Sequence, residues 1–172
     1  MKKYILYALL LLQIIIIGTL IILFEQIDAT GTEITIQTKA FEYEPYLAYD
    51  SSLYVDYEIN EINKETWTID EELNYNTDMY VLLKKDSNGL FQVSEVALQD
   101  NWSNMSDDTV VLRASYGYYD TSSKTHFVNY HLEELYNVSQ SEQLKQGDKL
   151  NVTWKIGIWG QFKLIGMEKV ES

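Results

Sequence analysis

The sequence predicts an all-β domain, a sandwich or barrel of about seven strands with one or two short helices, carried on a single N-terminal transmembrane helix. Three observations lead there. An uncharged apolar run extends from Ile5 to Phe24, short β-prone segments follow one another with turn residues between them, and no glycine/serine-rich break or internal repeat divides them.

The apolar run holds twenty residues, fifteen of them Leu, Ile or Phe, with Gln13 and Thr19 its strongly polar members. As a helix it is roughly 30 Å long at about 1.5 Å per residue, which matches a bilayer's hydrocarbon core. A cleavable secretory signal competes, since Met1-Lys2-Lys3 is a positive start and Ile27-Asp28-Ala29 a poor small-residue processing site. Signal cores run about 7 to 15 apolar residues, so the length favours an uncleaved anchor. Lys2 and Lys3 precede the run while Glu25, Asp28 and Glu33 follow it, which places the N-terminus in the cytoplasm and the rest outside the cell membrane. The expected division is a stub and anchor over residues 1–24, a linker over 25–32 and one exported domain over 33–172.

The chain carries 13 basic and 26 acidic residues, a net charge of −13, and no cysteine. Such a surface repels phosphate backbones, which argues against a nucleic-acid partner and leaves cations, basic proteins and neutral glycans. Without cysteine there are no disulfides, no thiolate nucleophile and no lipidation site, so packing alone holds an exported fold together. The pattern fits a bacterial cell-surface protein.

Glu33 to Lys39 alternates in polarity, with Ile34 and Ile36 on one face, and reads as the first strand. Pro45 interrupts Ala40 to Ser52, which also carries Tyr43, Tyr46 and Tyr49. Leu53 to Asn60 alternates most cleanly, with Leu53, Val55, Tyr57 and Ile59 sharing a face. Glu61 to Thr77 loses the alternation and holds a candidate short helix near Thr68 or Asp70. Asp78 to Lys85 and Leu90 to Leu98 form a hairpin about Asp86-Ser-Asn-Gly89, whose Asn-Gly pair supplies positive φ. Thr109 to Tyr119 is a long strand with Arg113, the sole arginine, on the face opposite Val110, Leu112 and Ala114. Thr125 to His131 returns beside it, and a second short helix is expected between Ser139 and Gln146. Asp148 to Gly157 and Gly160 to Val170 form a terminal hairpin about Ile158-Trp159.

The order of these motifs resembles the GDYXXLXY family of membrane-anchored proteins. The resemblance rests on Ile34-Thr-Ile-Gln-Thr38, Glu44-Pro45, Tyr80-Val-Leu-Leu-Lys-Lys-Asp-Ser-Asn-Gly89, Val111-Leu-Arg113, Tyr130-His-Leu-Glu133 and Gly160-Gln-Phe-Lys-Leu-Ile-Gly166. In the name-giving motif, Asp50, Ser51 and Ser52 stand where Gly, Asp and Tyr are expected, while Val55 and Tyr57 fit the Leu and final Tyr. The resemblance implies no established activity, and it implies a polytopic membrane protein as partner, because members are often encoded beside such proteins.

No residue constellation specifies a reaction. His126 and His131 fall on opposite faces of a predicted strand with no further ligands in view, and no phosphate-cradling glycine loop or hydrolase context occurs. Neither a catalytic residue, a metal nor a cofactor is therefore assigned, and an enzyme is not expected. Two sites are named instead. Tyr43, Tyr46 and Tyr49 form a candidate docking surface within a few tens of Å of the bilayer, although tyrosine is also an ordinary strand residue. Arg113 is expected in a buried structural ion pair with Glu133. The preferred function is a membrane-anchored accessory or interaction protein docking on a polytopic membrane or envelope partner, and the alternative is a surface receptor for a cationic or glycan ligand.

Overall fold

A computed structural model of the chain describes residues 2–43, 45, 52–103, 105–135, 144–157 and 160–170. It has one long helix followed by an all-β domain. The helix α1 covers Lys2–Thr30, 29 residues, and is long and apolar enough to cross a membrane. Its side chains from Leu9 to Leu12 and from Ile14 to Ile17 lie exposed, as they must if lipid is to be their solvent.

The linker expected over 25–32 does not form. Glu25 to Thr30 continue α1, and Gly31 alone separates the helix from strand β1, Thr32–Gln37. Strong hydropathy marks where a helix enters lipid. It does not mark where backbone hydrogen bonding stops, and here the ladder runs on to Gly31, whose N–H donates to the Ile27 carbonyl at 3.0 Å.

The remaining strands among the described residues are β2 (Leu53–Tyr54), β3 (Glu61–Asn63), β4 (Asp78–Lys85), β5 (Phe91–Ala97), β6 (Thr109–Asp120), β7 (Thr125–Asn129), β8 (Glu134–Leu135), β9 (Leu150–Ile156) and β10 (Phe162–Lys169). They make a three-stranded sheet β1-β9-β10, a five-stranded sheet β3-β7-β6-β4-β5 and the small pair β2-β8, and every pairing is antiparallel. The edges β1 and β5 touch, so the two main sheets close toward a barrel on that side.

The period-two pattern read from the sequence explains the core. Ile34 and Ile36 of β1 face Val152 and Trp154 of β9, and from the larger sheet Met79, Val81 and Leu83 of β4 and Leu112 and Ala114 of β6 join them, all buried. Each Ile, Val, Leu or Met among them contributes about 1.5–3 kcal/mol on burial, which a fold without disulfides requires.

Two expected elements differ. Leu53 to Asn60 is not one strand: β2 covers two residues, and Glu58–Asn60 is a turn of 3-10 helix. The alternation survives as burial, with Leu53, Val55, Tyr57 and Ile59 all inside, but the backbone is shared among several neighbours. The Val55 N–H donates to Glu133 O at 2.8 Å, the Lys39 N–H to Asp56 O at 2.7 Å, and Thr38 bridges Tyr57. No helix forms in Glu61 to Thr77 either, where β3 is followed by a turn in which the N–H groups of Thr66 and Trp67 both donate to Asn63 O. The helix expected between Ser139 and Gln146 falls mostly outside the described residues, and the described part, Leu144 to Gln146, is not helical.

Candidate functional site at the two ends of the domain

The register of β1 with β9 and β10 defines two ends. Thr32, Ile156 and Phe162 lie together at the end that meets α1, and Gln37, Asn151 and Glu168 lie at the other.

At the helix end the joint is tightly built. Ile27 is buried against the domain although it belongs to the helix. The Asp28 carboxylate accepts two hydrogen bonds from Lys163 Nζ at 2.6 and 2.7 Å. Lys155 Nζ donates to the Asp28 carbonyl at 2.9 Å and lies 3.4 Å from Glu33. A lysine on the last carbonyls of a helix satisfies orphan acceptors and complements the negative end of the dipole. Gly31 is required by space: a Cβ there would lie 2.6 Å from Ile27 O and 3.0 Å from Ile156 O. Lys163–Asp28, Lys155–Glu33 and the nearby Arg113–Asp78 pair sum to zero charge, so the surplus of −13 belongs to the rest of the chain.

Arg113 is not in a buried pair with Glu133. Its guanidinium donates to Asp78 Oδ2 at 2.6 Å on the outer face of the larger sheet, and both side chains are about two-thirds exposed. The sequence pattern had set Arg113 opposite the core residues of β6, and that face is solvent. Asp78, diagonal to it across the β4–β6 register, is the carboxylate within reach. The Asp78 carboxylate, through its hydrogen bond and its charge, raises the Arg113 pKa further above its ordinary value. Glu133 has another task. Its Oε1 accepts from the Tyr130 N–H and from Asn60 Nδ2, each at 3.0 Å, and so ties the turn after β7 to the 3-10 segment.

That turn shapes a cleft of about 350 Å³ lined by Val111 to Ala114, Asp78, Tyr130, His131, Ile156 and Phe162. Phe162 also lines an apolar recess against Ile17, Leu20 and Ile21 of α1, so the cleft opens at the helix end of the domain.

The tyrosine surface lies at the opposite end. Tyr43 is 79% exposed and, with Lys39, Phe41, Pro45 and Tyr54, lines a second cleft of about 380 Å³. β1 carries the chain about 20 Å from the joint, at about 3.3 Å per residue, before Tyr43 is reached, so this surface is the one far from α1. Tyr46 and Tyr49 lie outside the described residues.

His126 and His131 are not brought together at a ligand site, and among the described residues no group of His, Asp and Glu converges as a metal site would. His131 lines the helix-end cleft. His126 stacks on Trp67 with ring centroids 3.8 Å apart and has Tyr119 at 4.5 Å. Burial, and secondarily the charge of Lys64, lowers its pKa.

The fold and joint define a class: a small acidic β-domain borne directly on one helix long and apolar enough to span a membrane. The family model described as GDYXXLXY protein matches residues 13–167, and the chain belongs to that family. No curated protein and no solved structure matches it. The two name-giving positions that this chain keeps are core residues: Val55 is buried, and Tyr57 is fully enclosed with its hydroxyl donating to Leu132 O at 3.1 Å. The substituted positions include Asp50 and Ser51, which lie outside the described residues, and Ser52, which is buried.

Proposed function

We propose that this chain is a membrane-anchored, extracytoplasmic interaction protein without catalytic activity of its own, which docks on a polytopic membrane or envelope partner. The joint at Gly31 supports this reading best. A domain that functions by reaching into solution gains from a flexible tether, whereas here the helix passes into the sheet with Ile27 buried and Asp28 held by two lysines. The domain is thereby kept at the bilayer surface in one orientation, within reach of the extramembrane parts of a neighbouring membrane protein. Lys2 and Lys3 before the apolar run set the orientation.

Protease added to spheroplasts carrying the full chain should digest the domain and leave the helix protected, and purification in mild detergent should retain a stoichiometric multi-span protein. A domain wholly protected from protease refutes the orientation. A chain that purifies alone from its native membrane refutes the docking.

A further inference from the structure

We propose that the first half of β6 is a strand-addition site, at which an extended segment of the membrane partner pairs with the backbone of Val111 and Arg113. The inference rests on the docking reading above and gives it a location.

β6 has β4 on one side along its whole first half, from Thr109 to Ser115. On the other side β7 pairs with it only from Asp120 back to Ser115, opposite Asn129. There β7 leaves. His131 takes a left-handed φ of 59°, its N–H donates to Asn129 Oδ1 at 2.7 Å, and Glu133 fastens the turn. The Asn129 side chain thus bonds the backbone two residues on and makes the turn locally.

The direction of the abandoned groups follows from the bonds that β6 does make. The Tyr116 N–H donates to Thr77 O and Tyr116 O accepts from Asn76, while Lys85 N donates to Asp108 O. Even-numbered residues of β6 thus turn their backbone groups to β4 and odd-numbered ones to the other edge, because the pattern alternates along an antiparallel ladder. Thr109 spends its N–H on Ser106 O, which leaves the N–H and C=O of Val111 and Arg113 on the open edge, where no backbone pairing is found among the described residues. An exposed row of this kind is a template for another strand, and proteins that do not use one usually block it.

The surroundings choose the occupant. The edge borders the cleft that Phe162 shares with the recess beside α1, so a segment leaving the membrane next to the helix meets it first. One face of an added strand would lie over Ile156 and Phe162 and the other beside the Arg113–Asp78 pair, which calls for alternating apolar and polar residues.

The test uses the full chain purified in mild detergent from its own membrane. Val111→Pro removes one N–H that β4 does not use, and Val111→Thr keeps it. Val111→Pro should lose the co-purifying membrane protein at an unchanged melting temperature while Val111→Thr retains it, and amide hydrogen exchange at Val111 and Arg113 of the wild type should slow in the complex relative to the chain alone. Should Val111→Pro unfold, the exchange measurement decides. Partner retained with both amides unprotected overturns the strand addition and leaves the docking reading standing. No partner with the wild type overturns both. Protection that appears in the isolated chain as it dimerises identifies a second copy as the occupant and overturns the assignment to a membrane partner.

Discussion

The indole N–H of Trp154 donates to the phenol oxygen of Tyr57 at 3.1 Å, and the same hydroxyl donates to the carbonyl of Leu132. One group thus joins the three-stranded sheet to the turn after β7 in the centre of the core, and burial raises the Tyr57 pKa well above the ordinary phenol range. Tyr57→Phe keeps the ring and strands both partners, at about 1–3 kcal/mol for each buried group left unpaired. Denaturant unfolding of the detergent-solubilised chain, followed by tryptophan fluorescence, should show a lower midpoint, and an unchanged one refutes the role.

Glu133 and Arg113 make a paired prediction. Glu133→Ala deprives the Tyr130 N–H and Asn60 Nδ2 of a shared acceptor and should cost about 1–3 kcal/mol. Arg113→Ala removes an exposed pair with Asp78, which is screened by water and salt, and should leave the melting temperature where it was. Thermal melts of the two variants side by side check the ranking, and the reverse order refutes it.

His126 makes stability depend on pH. Its folded pKa is depressed, chiefly by burial, and among the described residues its Nδ1 is enclosed without a hydrogen-bond partner. As pH falls the unfolded chain takes up this proton first, so the stability present above the unfolded value of about 6.5 is lost as pH falls from there toward the folded pKa. The difference in melting temperature between wild type and His126→Gln, measured from pH 8 down to pH 5, should change in favour of the variant. A constant difference refutes the assignment.

Gly31→Val should loosen the joint, because its Cβ would meet the backbone oxygens of Ile27 and Ile156. The chain has no cysteine, so spin labels at Gln26→Cys and Glu168→Cys would report a single pair. The wild type should give a narrow distance distribution and Gly31→Val a broadened or displaced one. Identical distributions would show that the joint tolerates the side chain.

What the sequence made legible was local. The turn between β4 and β5 is written in Asp86 to Gly89: the Asp86 carboxylate accepts from Asn88 N and Leu90 N at 2.8 and 2.9 Å, and Gly89 has φ of 86°. The inward faces of β1, β4, β6 and β9 were legible for the same reason, since alternation follows burial. Leu53 to Ile59 shows the limit. Burial imposes the same alternation on a segment whose hydrogen bonds go to Glu133, Lys39 and Thr38 in turn, and periodicity does not distinguish that from a ladder. The partner of Arg113 depended on the β4–β6 register, a long-range fact. The helix-end cleft depended on where β7 leaves β6, for which Asn129 is the one local sign. The distance of Tyr43 from α1 came from the direction of β1, which alternation alone does not give.

Because one glycine is all that lies between α1 and β1, the azimuth of the helix and the heading of the domain are a single mechanical variable. Each residue advances a helix by about 100° of rotation, so inserting one alanine before Gln26 would swing the β6 edge about a quarter-turn around the helix axis and raise it by about 1.5 Å. A neighbour that rolled the helix would steer the domain in the same way.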